Sequence, residues 1–486
     1  MEACEGKCTA LGEEKCAAFS FCDGSNCKGS CSLYPPPLEQ YTRCNGYPGS
    51  TCYVRPQKAR SDAELTEAPS HQASTIKTDE TSEATPTLKD GSGPGPKDKL
   101  VESFEIDLDL PPEERWAHVI EAKRVQILGL LDILRPLFRA SKDSAEVTDE
   151  LIAAYNASSQ RPEAPQYIHD YLAEMRGIAA VLAKEDKVTL SDVLMANLFY
   201  EIDSAAKTPL SEAFARSCTS LVAQSANGTT LFARNQDYPP PFTLVMIHAV
   251  FKRRGVTVYE GTTYAGTVGL STAFSHAHDG GRGWAVSVNA RDIPAGWPAQ
   301  GTEAAKVDAV EAARTGAAIL PILTRQAADA GMRDYNAALR YFARWPSILP
   351  GYLIVGGGEP GEGAIVSHNG SRTGSEPATD SDVFALFATS MDGDKNGGWF
   401  VVQTNTDHWK PAPLYPGSHP PASRRATAIR GLVEAGQERI SADRIWDVLS
   451  TPPTFNADTI HTDLVDVAAG SYRTYKRNGP LAKVWD

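Results

Sequence analysis

Cysteine placement constrains this chain more than any other feature. Eight of its nine cysteines fall between Cys4 and Cys52, at positions 4, 8, 16, 22, 27, 31, 44 and 52, and the ninth, Cys218, stands alone. Residues 1–55 are rich in Gly and poor in aliphatic side chains. A segment of that composition cannot build a sufficient core and needs covalent staples. Zinc would call for paired ligands, but no CxxC occurs and the one histidine before residue 118 is His71. The reading is therefore a disulfide-rich module. An even cluster can close on itself, which leaves Cys218 as an odd thiol, either buried and inert or a nucleophile.

The module is followed by a linker. No aromatic residue lies between Tyr53 and Phe104, and Ser, Thr, Glu, Lys, Gly and Pro dominate residues 56–100. This stretch cannot bury enough apolar area to offset ordering entropy and is expected to be disordered. Beyond it, Phe104, Ile106, Leu108 and Leu110 alternate with acidic residues as in a half-buried strand. Pro111-Pro112 then opens a helix whose apolar stripe runs from Trp116 to Phe138. Further helices are expected at 163–183, 190–202, 303–328, 334–344, 421–435 and 441–449. Strands are expected at 218–224, 230–235, 243–251, 256–260, 284–289, 351–355, 363–367, 383–389 and 399–404. Strands in hairpins interrupted by helices define an α+β layered domain with an antiparallel core.

With 60 acidic against 47 basic residues, the net charge is −13, which argues against a nucleic-acid partner. The longest apolar runs, such as Leu190–Tyr200, are far short of the ~20 residues that span a bilayer. The oxidised module implies a secretory route, so the expectation is that a leader has been removed and Met1 is an added start. The acceptor tripeptides at Asn156, Asn227 and Asn369 fit that route as glycosylation sites. Gly356–Gly361 satisfies G-x-G-x-x-G, but a strand-like run rather than a helix follows, so it reads as a hairpin turn. His276-Ala-His278-Asp279 lacks a further ligand and reads as a loop. No metal or cofactor is expected, and no G-x-S-x-G elbow occurs.

Cys218 begins a strand, and Ser225-Ala-Asn-Gly228 turns it back as a hairpin. Arg234, Asn235 and Asp237 then return near the start of the first strand. One thiol, one guanidinium and one carboxylate are expected to converge there. Cys218-Thr-Ser-Leu-Val-Ala-Gln followed by Arg234-Asn-Gln-Asp237-Tyr-Pro resembles the N-terminal-nucleophile amidases grouped around acid ceramidase and N-acylethanolamine-hydrolysing acid amidase. Phe104–Trp116, Asn197–Glu201, Gly261–Gly266, Tyr352–Gly357 and Thr404–Lys410 resemble further segments of that family in the same order. The resemblance runs from about residue 104 to the end. Residues 1–55 resemble an apple or PAN-type binding module.

The resemblance implies an N-terminal-nucleophile αββα sandwich. It implies self-cleavage between Ser217 and Cys218, giving an α-subunit (101–217 after the module and linker) and a β-subunit (218–486). Cys218 becomes the nucleophile and its freed α-amine the base. It also implies that Arg234 supports the thiolate, that Asp237 orients the ammonium, that Asn405 is an oxyanion donor, and that Arg424 is a second active-site arginine. Arg425 is the substitute for Arg424 if an insertion in 415–422 is aligned differently. Close relatives carry Glu where this chain has Ala290, and the adjacent Asn289 is the candidate replacement donor. No cysteine follows Cys218, so no disulfide can join the two subunits. The expected activity is hydrolysis of an N-acyl lipid in a lysosomal or extracellular setting, ceramide ahead of N-acylethanolamine, with a membrane surface or lipid-presenting protein as partner. The reading from another class is an inactive lipid-binding or adhesive protein on the same fold.

Overall fold

The computed structural model describes residues 18–22, 31–34, 50–54, 92–95, 97–184, 187–206, 217–238, 241–277, 282–292, 298, 301–370, 383–387, 398–409 and 421–477. The chain divides into two units, 1–87 and 88–486. In the first, strands β1 (Ala18–Cys22), β2 (Cys31–Tyr34) and β3 (Ser50–Val54) form an antiparallel sheet in the order β2-β1-β3. Disulfide pairing and residues 56–91 of the linker lie outside the described residues.

The second unit stacks two sheets. Its N-terminal part supplies β4 (Lys99–Leu100) and β5 (Ser103–Asp107). Next come β6 (Ser217–Gln224), β7 (Thr230–Asp237), β8 (Met246–Arg253), β9 (Val256–Tyr264), β10 (Thr272–Ser275) and β11 (Trp284–Ala290). The set is completed by β12 (Gly351–Gly357), β13 (Gly363–His368), β14 (Val383–Ala385), β15 (Phe400–Gln403), β16 (Thr459–Asp466) and β17 (Ser471–Lys476). One sheet has eight strands, β14-β13-β12-β11-β10-β9-β8-β5, and the other six, β15-β6-β7-β16-β17-β4. Pairing is antiparallel except between β5 and β8, which run parallel.

The strand alternation sorts side chains into layers. Val222, Phe232, Phe274, Ile354, Ile365 and Val465 fill the space between the sheets. Leu221, Ala223 and Ala233 point the other way, onto α10 (Pro421–Ala435) and α11 (Ala442–Leu449), where Leu432 and Trp446 cover them. The outer face of the eight-stranded sheet buries Val286, Leu353 and Val366 under helices that contribute Leu323 and Phe342. These helices are α8 (Leu320–Asp329) and α9 (Tyr335–Arg344), joined by α1 (Ala117–Phe138), α2 (Lys142–Ser158), α3 (Gln166–Ala183), α4 (Leu190–Asn197), α5 (Phe199–Ala206), α6 (Phe242–Val245) and α7 (Glu303–Thr315). The architecture is the expected α+β arrangement of two antiparallel sheets between helical layers.

Several local expectations change. The helix expected over 303–328 is two, because Gly316 takes φ 91° and closes α7 as a left-handed cap. The helix expected over 190–202 breaks at Leu198. Helix α2, capped by a Ser141–Ser144 box, was not expected. Residues 92–100, assigned to the linker by composition, pack at their end: Leu100 pairs with Tyr475, and Ser92 bonds Asp447. Lone backbone strands such as β4 have no compositional signature.

Candidate active site

The β6–β7 hairpin sets the site. Gly228 at φ 92° allows the tight reversal, and its N–H donates to Ser225 O at 3.0 Å. The register places Ser217 opposite Asp237, Cys218 opposite Gln236, and Ser220 opposite Arg234. Cys218 is 2 % exposed. Arg234 Nη2 donates to Cys218 Sγ at 3.1 Å and to Val288 O at 2.6 Å, while Nη1 donates to Ser271 O at 2.5 Å and to Thr272 Oγ1 at 3.1 Å. Asp463 sits across from Arg234 on β16. Burial works against the Arg234 charge, but Cys218 and Asp463 outweigh it and hold the guanidinium above the ordinary arginine value.

The other half of the constellation lies on the helix-facing side of the same sheet. Asp237 is three residues from Arg234, so the two side chains leave the strand on opposite faces. The Asp237 carboxylate accepts from Thr459 Oγ1 (2.7 Å) and Asn456 Nδ2 (2.8 Å), with Arg424 Nη1 at 3.8 Å. Arg424, from α10, donates to Cys218 O (2.6 Å), Thr219 Oγ1 (3.1 Å) and Asn405 Oδ1 (2.8 Å). Asn405 Oδ1 also accepts from the Cys218 N–H at 3.1 Å. The expected convergence on Cys218 is therefore direct for Arg234, Arg424 and Asn405. Asp237 reaches it through Arg424. Burial pulls Arg424 below the ordinary arginine value, against the opposing pull of Asp237 and Cys218. Arg425 is directed away, to Thr406 O at 2.9 Å.

Asn289 faces the layer between the sheets. Its Oδ1 accepts from Ser220 Oγ at 2.8 Å, and its Nδ2 donates to Gln403 O (2.8 Å) and Thr404 O (3.3 Å). Both amide hydrogens are thereby committed to the backbone. Ala290 lines the same cavity as Cys218, and its carbonyl accepts from Asn405 Nδ2 at 2.8 Å. Of the acceptor asparagines, Asn227 and Asn369 are exposed and Asn156 is half-buried. Gly356–Gly361 forms the β12–β13 turn. His276 bonds Glu260 at 2.7 Å, while His278 and Asp279 lie outside the described residues. Among the described residues no His, Cys, Asp or Glu cluster is placed to hold a metal, and no helix is long and apolar enough to cross a membrane.

Cys218 and Arg234 open onto a cavity whose walls include Phe199, Tyr238, Phe242, Tyr264, Leu320 and Ile322. It shares Ala196, Phe242, Tyr264 and Thr267 with a second, small chamber lined by Leu130, Leu131, Leu134, Ile178 and Leu182 from the N-terminal helices. Sequence reasoning missed Tyr264 and Asp463 as site residues. Tyr264 lies within the Gly261–Gly266 segment, but nothing in one sequence gives it a role.

A buried network supports the Asn405 segment. Asp407 accepts from Arg291 Nε (2.7 Å) and Tyr352 Oη (2.6 Å), and Arg291 also donates to His368 O at 3.0 Å. His368 is fully buried, and burial lowers its pKa to about 4. Its folded value lies below its unfolded one, so the unfolded chain takes up the proton first as pH falls. Stability is whole above about pH 6.5 and declines towards about pH 4. Between about pH 7 and pH 5 the loss is roughly 2 kcal/mol. His368→Gln is expected to flatten the acid side of the stability–pH curve by that amount, read from urea midpoints at the two pH values. Equal slopes in both proteins would count against the assignment.

A thiol, two guanidiniums and an amide gather at the end of an antiparallel sandwich beside an apolar cavity, an arrangement that fits an amidohydrolase. The comparisons agree. A family model described as the beta subunit of N-acylethanolamine-hydrolyzing acid amidase matches residues 99–150, on the N-terminal side of Cys218. That description gives the label beta to a segment assigned above to the α-subunit. The N-acylethanolamine-hydrolyzing acid amidase of Cavia porcellus is 30% identical over 398 residues, spanning 80% of this chain and 94% of that one. The acid ceramidases of Pan troglodytes and Homo sapiens are each 27% identical over 400 residues, spanning 78% of this chain and 86% of theirs. A solved structure, the Caenorhabditis elegans N-acylethanolamine-hydrolyzing acid amidase ortholog, is 27% identical with a TM-score of 0.41, covering 52% of this chain and 93% of that one. The chain belongs to the acid ceramidase and N-acylethanolamine-hydrolysing acid amidase family and is an amidohydrolase.

Proposed function

We propose that this protein is an acid hydrolase of N-acyl lipids, secreted or lysosomal, that activates itself by cutting before Cys218 and prefers ceramide. The observation that carries the reading is the Arg234–Cys218 contact at the base of an apolar cavity. In the proenzyme, Cys218 Sγ attacks the Ser217 carbonyl carbon. The S–C bond forms, the amide C–N bond breaks, and the thiol proton passes to the departing Cys218 nitrogen. Water then hydrolyses the thioester, freeing the Ser217 carboxylate and the thiol. The new α-amine stays on the nucleophile's own residue, with Asn405 Oδ1 as its hydrogen-bond acceptor.

In turnover the thiolate attacks the substrate amide carbon, and the Cys218 ammonium gives its proton to the leaving amine as the C–N bond breaks. The α-amine then takes a proton from water, whose hydroxide attacks the acyl thioester; the C–S bond breaks, releasing fatty acid and regenerating the thiolate and ammonium of Cys218. Asp237 holds Arg424, and Arg424 holds Asn405 and the Cys218 carbonyl. The acyl chain lies towards Leu130, Leu134 and Leu182, where an apolar wall contributes about 0.8 kcal/mol per buried methylene. Glycans at Asn156, Asn227 and Asn369 and the disulfides of residues 1–55 belong to the same secretory reading. The two cleaved subunits form a heterodimer, and a membrane surface or lipid-presenting protein delivers the substrate.

Acid-incubated protein is expected to release fatty acid from fluorescent ceramide faster than from a fluorescent N-acylethanolamide. The reverse order favours the second substrate. No release from either would remove the activity and leave the lipid-binding reading.

A further inference from the structure

Hydrolysis through Cys218 needs a hydrogen-bond donor for the oxyanion that forms on the substrate carbonyl. Several donors near the sulfur are committed elsewhere, while the buried Arg234 Nε–H has no partner among the described residues. The four terminal hydrogens of Arg234 go to Cys218 Sγ, Val288 O, Ser271 O and Thr272 Oγ1. Asn289 Nδ2 is directed at two backbone carbonyls. Asn405 Nδ2 donates to Ala290 O, which leaves it one hydrogen. Of the cavity's hydroxyls, Thr263 bonds Gly269 O, Thr267 bonds Tyr264 O, and Ser271 bonds Thr262 O.

Tyr264 is the exception among these hydroxyls. Its Oη is buried in the wall of the Cys218 cavity and has no hydrogen-bond partner among the described residues. A buried hydroxyl without a partner costs about 1–3 kcal/mol, a penalty that an occupant of the cavity would relieve. The ring is held in place: it stacks on Tyr238 at 5.8 Å between centroids and meets Phe242 edge-on at 5.1 Å. Its strand, β9, is paired on both sides, with β8 and β10. A donor fixed in this way needs no reorganisation when charge develops. Burial keeps the phenol protonated far beyond neutral pH, so the donor is present wherever the enzyme works.

We propose that Tyr264 is a catalytic residue whose phenol O–H donates to the carbonyl oxygen of the substrate amide as it becomes an oxyanion, supplying the hydrogen bond that Ala290 cannot. This rests on the amidase reading above. It adds a donor on β9, outside the Cys/Arg/Asp/Asn/Arg constellation.

Tyr264→Phe removes one oxygen and keeps the ring packing. In the full chain after acid activation, kcat for the fluorescent N-acyl substrate is expected to fall roughly 10- to 100-fold. KM should be unchanged within about two-fold, and the thermal midpoint should not fall. Tyr264→Leu, which loses the packing as well, should lower kcat and the thermal midpoint together. A Tyr264→Phe protein with wild-type kcat overturns the proposal. So does one that raises KM at constant kcat, because the hydroxyl would then bind the ground state. An inactive wild-type protein with an intact Ser217–Cys218 bond would instead be a failure of the amidase reading, which separates the two.

Discussion

Cys218→Ala is expected to leave one uncut chain and to lower turnover of N-acyl lipids by at least about 10³-fold, as removal of a catalytic nucleophile does elsewhere. The variant should fold. Cys218 loses a single sulfur from a site where Arg234 keeps three further hydrogen bonds, to Val288, Ser271 and Thr272. Circular dichroism and the thermal midpoint check this independently of activity. Cys218→Ser is the sharper companion, since a hydroxyl can attack but is the poorer nucleophile. It is expected to cut slowly and to turn over slowly, both by gel and by substrate release. Retention of full turnover in Cys218→Ala would place the nucleophile elsewhere in the chain.

Glu174→Gln carries the largest expected loss of stability, about 3–5 kcal/mol. Glu174, on α3, is 0% exposed and fully coordinated. It pairs with Arg325 Nη1 at 2.6 Å and Nη2 at 2.7 Å, with Arg115 Nη1 at 3.0 Å, and accepts from Trp116 Nε1 at 2.7 Å. Burial pushes its pKa up, but Arg325, Trp116 and Arg115 bring it below the usual carboxylate value. Tyr171 Oη to Asp329 at 2.8 Å extends the network. Glu174, Tyr171, Arg115 and Trp116 precede Cys218, whereas Arg325 and Asp329 follow it. After cleavage the network would therefore join two chains that no disulfide can link, alongside the β5–β8 and β4–β17 pairings.

Neutralising Glu174 leaves the buried Arg325 with Asp329, 3.3 Å from its Nε, as its remaining carboxylate, and losing most of the compensation is the costly half of breaking such a pair. Glu174→Met with Arg325→Leu removes both charges and is expected to recover most of the loss. Urea midpoints of the two variants measure this. An unchanged midpoint in Glu174→Gln would mean that the network contributes little. The carboxylate's stability contribution is present above its unfolded pKa and is lost only as pH falls through the lowered folded value. The latch therefore persists through mild acid, where the buried His368 has already begun to destabilise the fold.

How much of this could be read from the sequence depended on how local each signal was. The β6–β7 hairpin was legible because Asn227-Gly228 fixes the turn, and strand geometry then fixes which residues meet. The same geometry separates Arg234 from Asp237, a consequence of three-residue spacing that a proximity argument overlooks. Gly316 broke a helix that the periodicity of 303–328 ran together, since Ala-rich repeats on both sides hide the cap. Strands β16 and β17 were not read, because Thr459–Asp466 carries His461, Asp463 and Asp466 and resembles a loop. Its His461 and Asp463 are fully buried beside Arg234. Tyr264 and the Leu130–Leu134 chamber wall come to the site from helices and strands far apart in the chain, and only packing shows them.

In the proposed mechanism Cys218 breaks its own backbone to become the nucleophile. The most direct test is intact-mass and N-terminal analysis of the purified full chain before and after incubation in acid. The expected result is one chain converted to two, one ending at Ser217 and the other beginning with Cys218, in step with the appearance of fatty-acid release. An uncut chain that releases fatty acid, or a cut at any other bond that activates it, would rule out activation at Cys218.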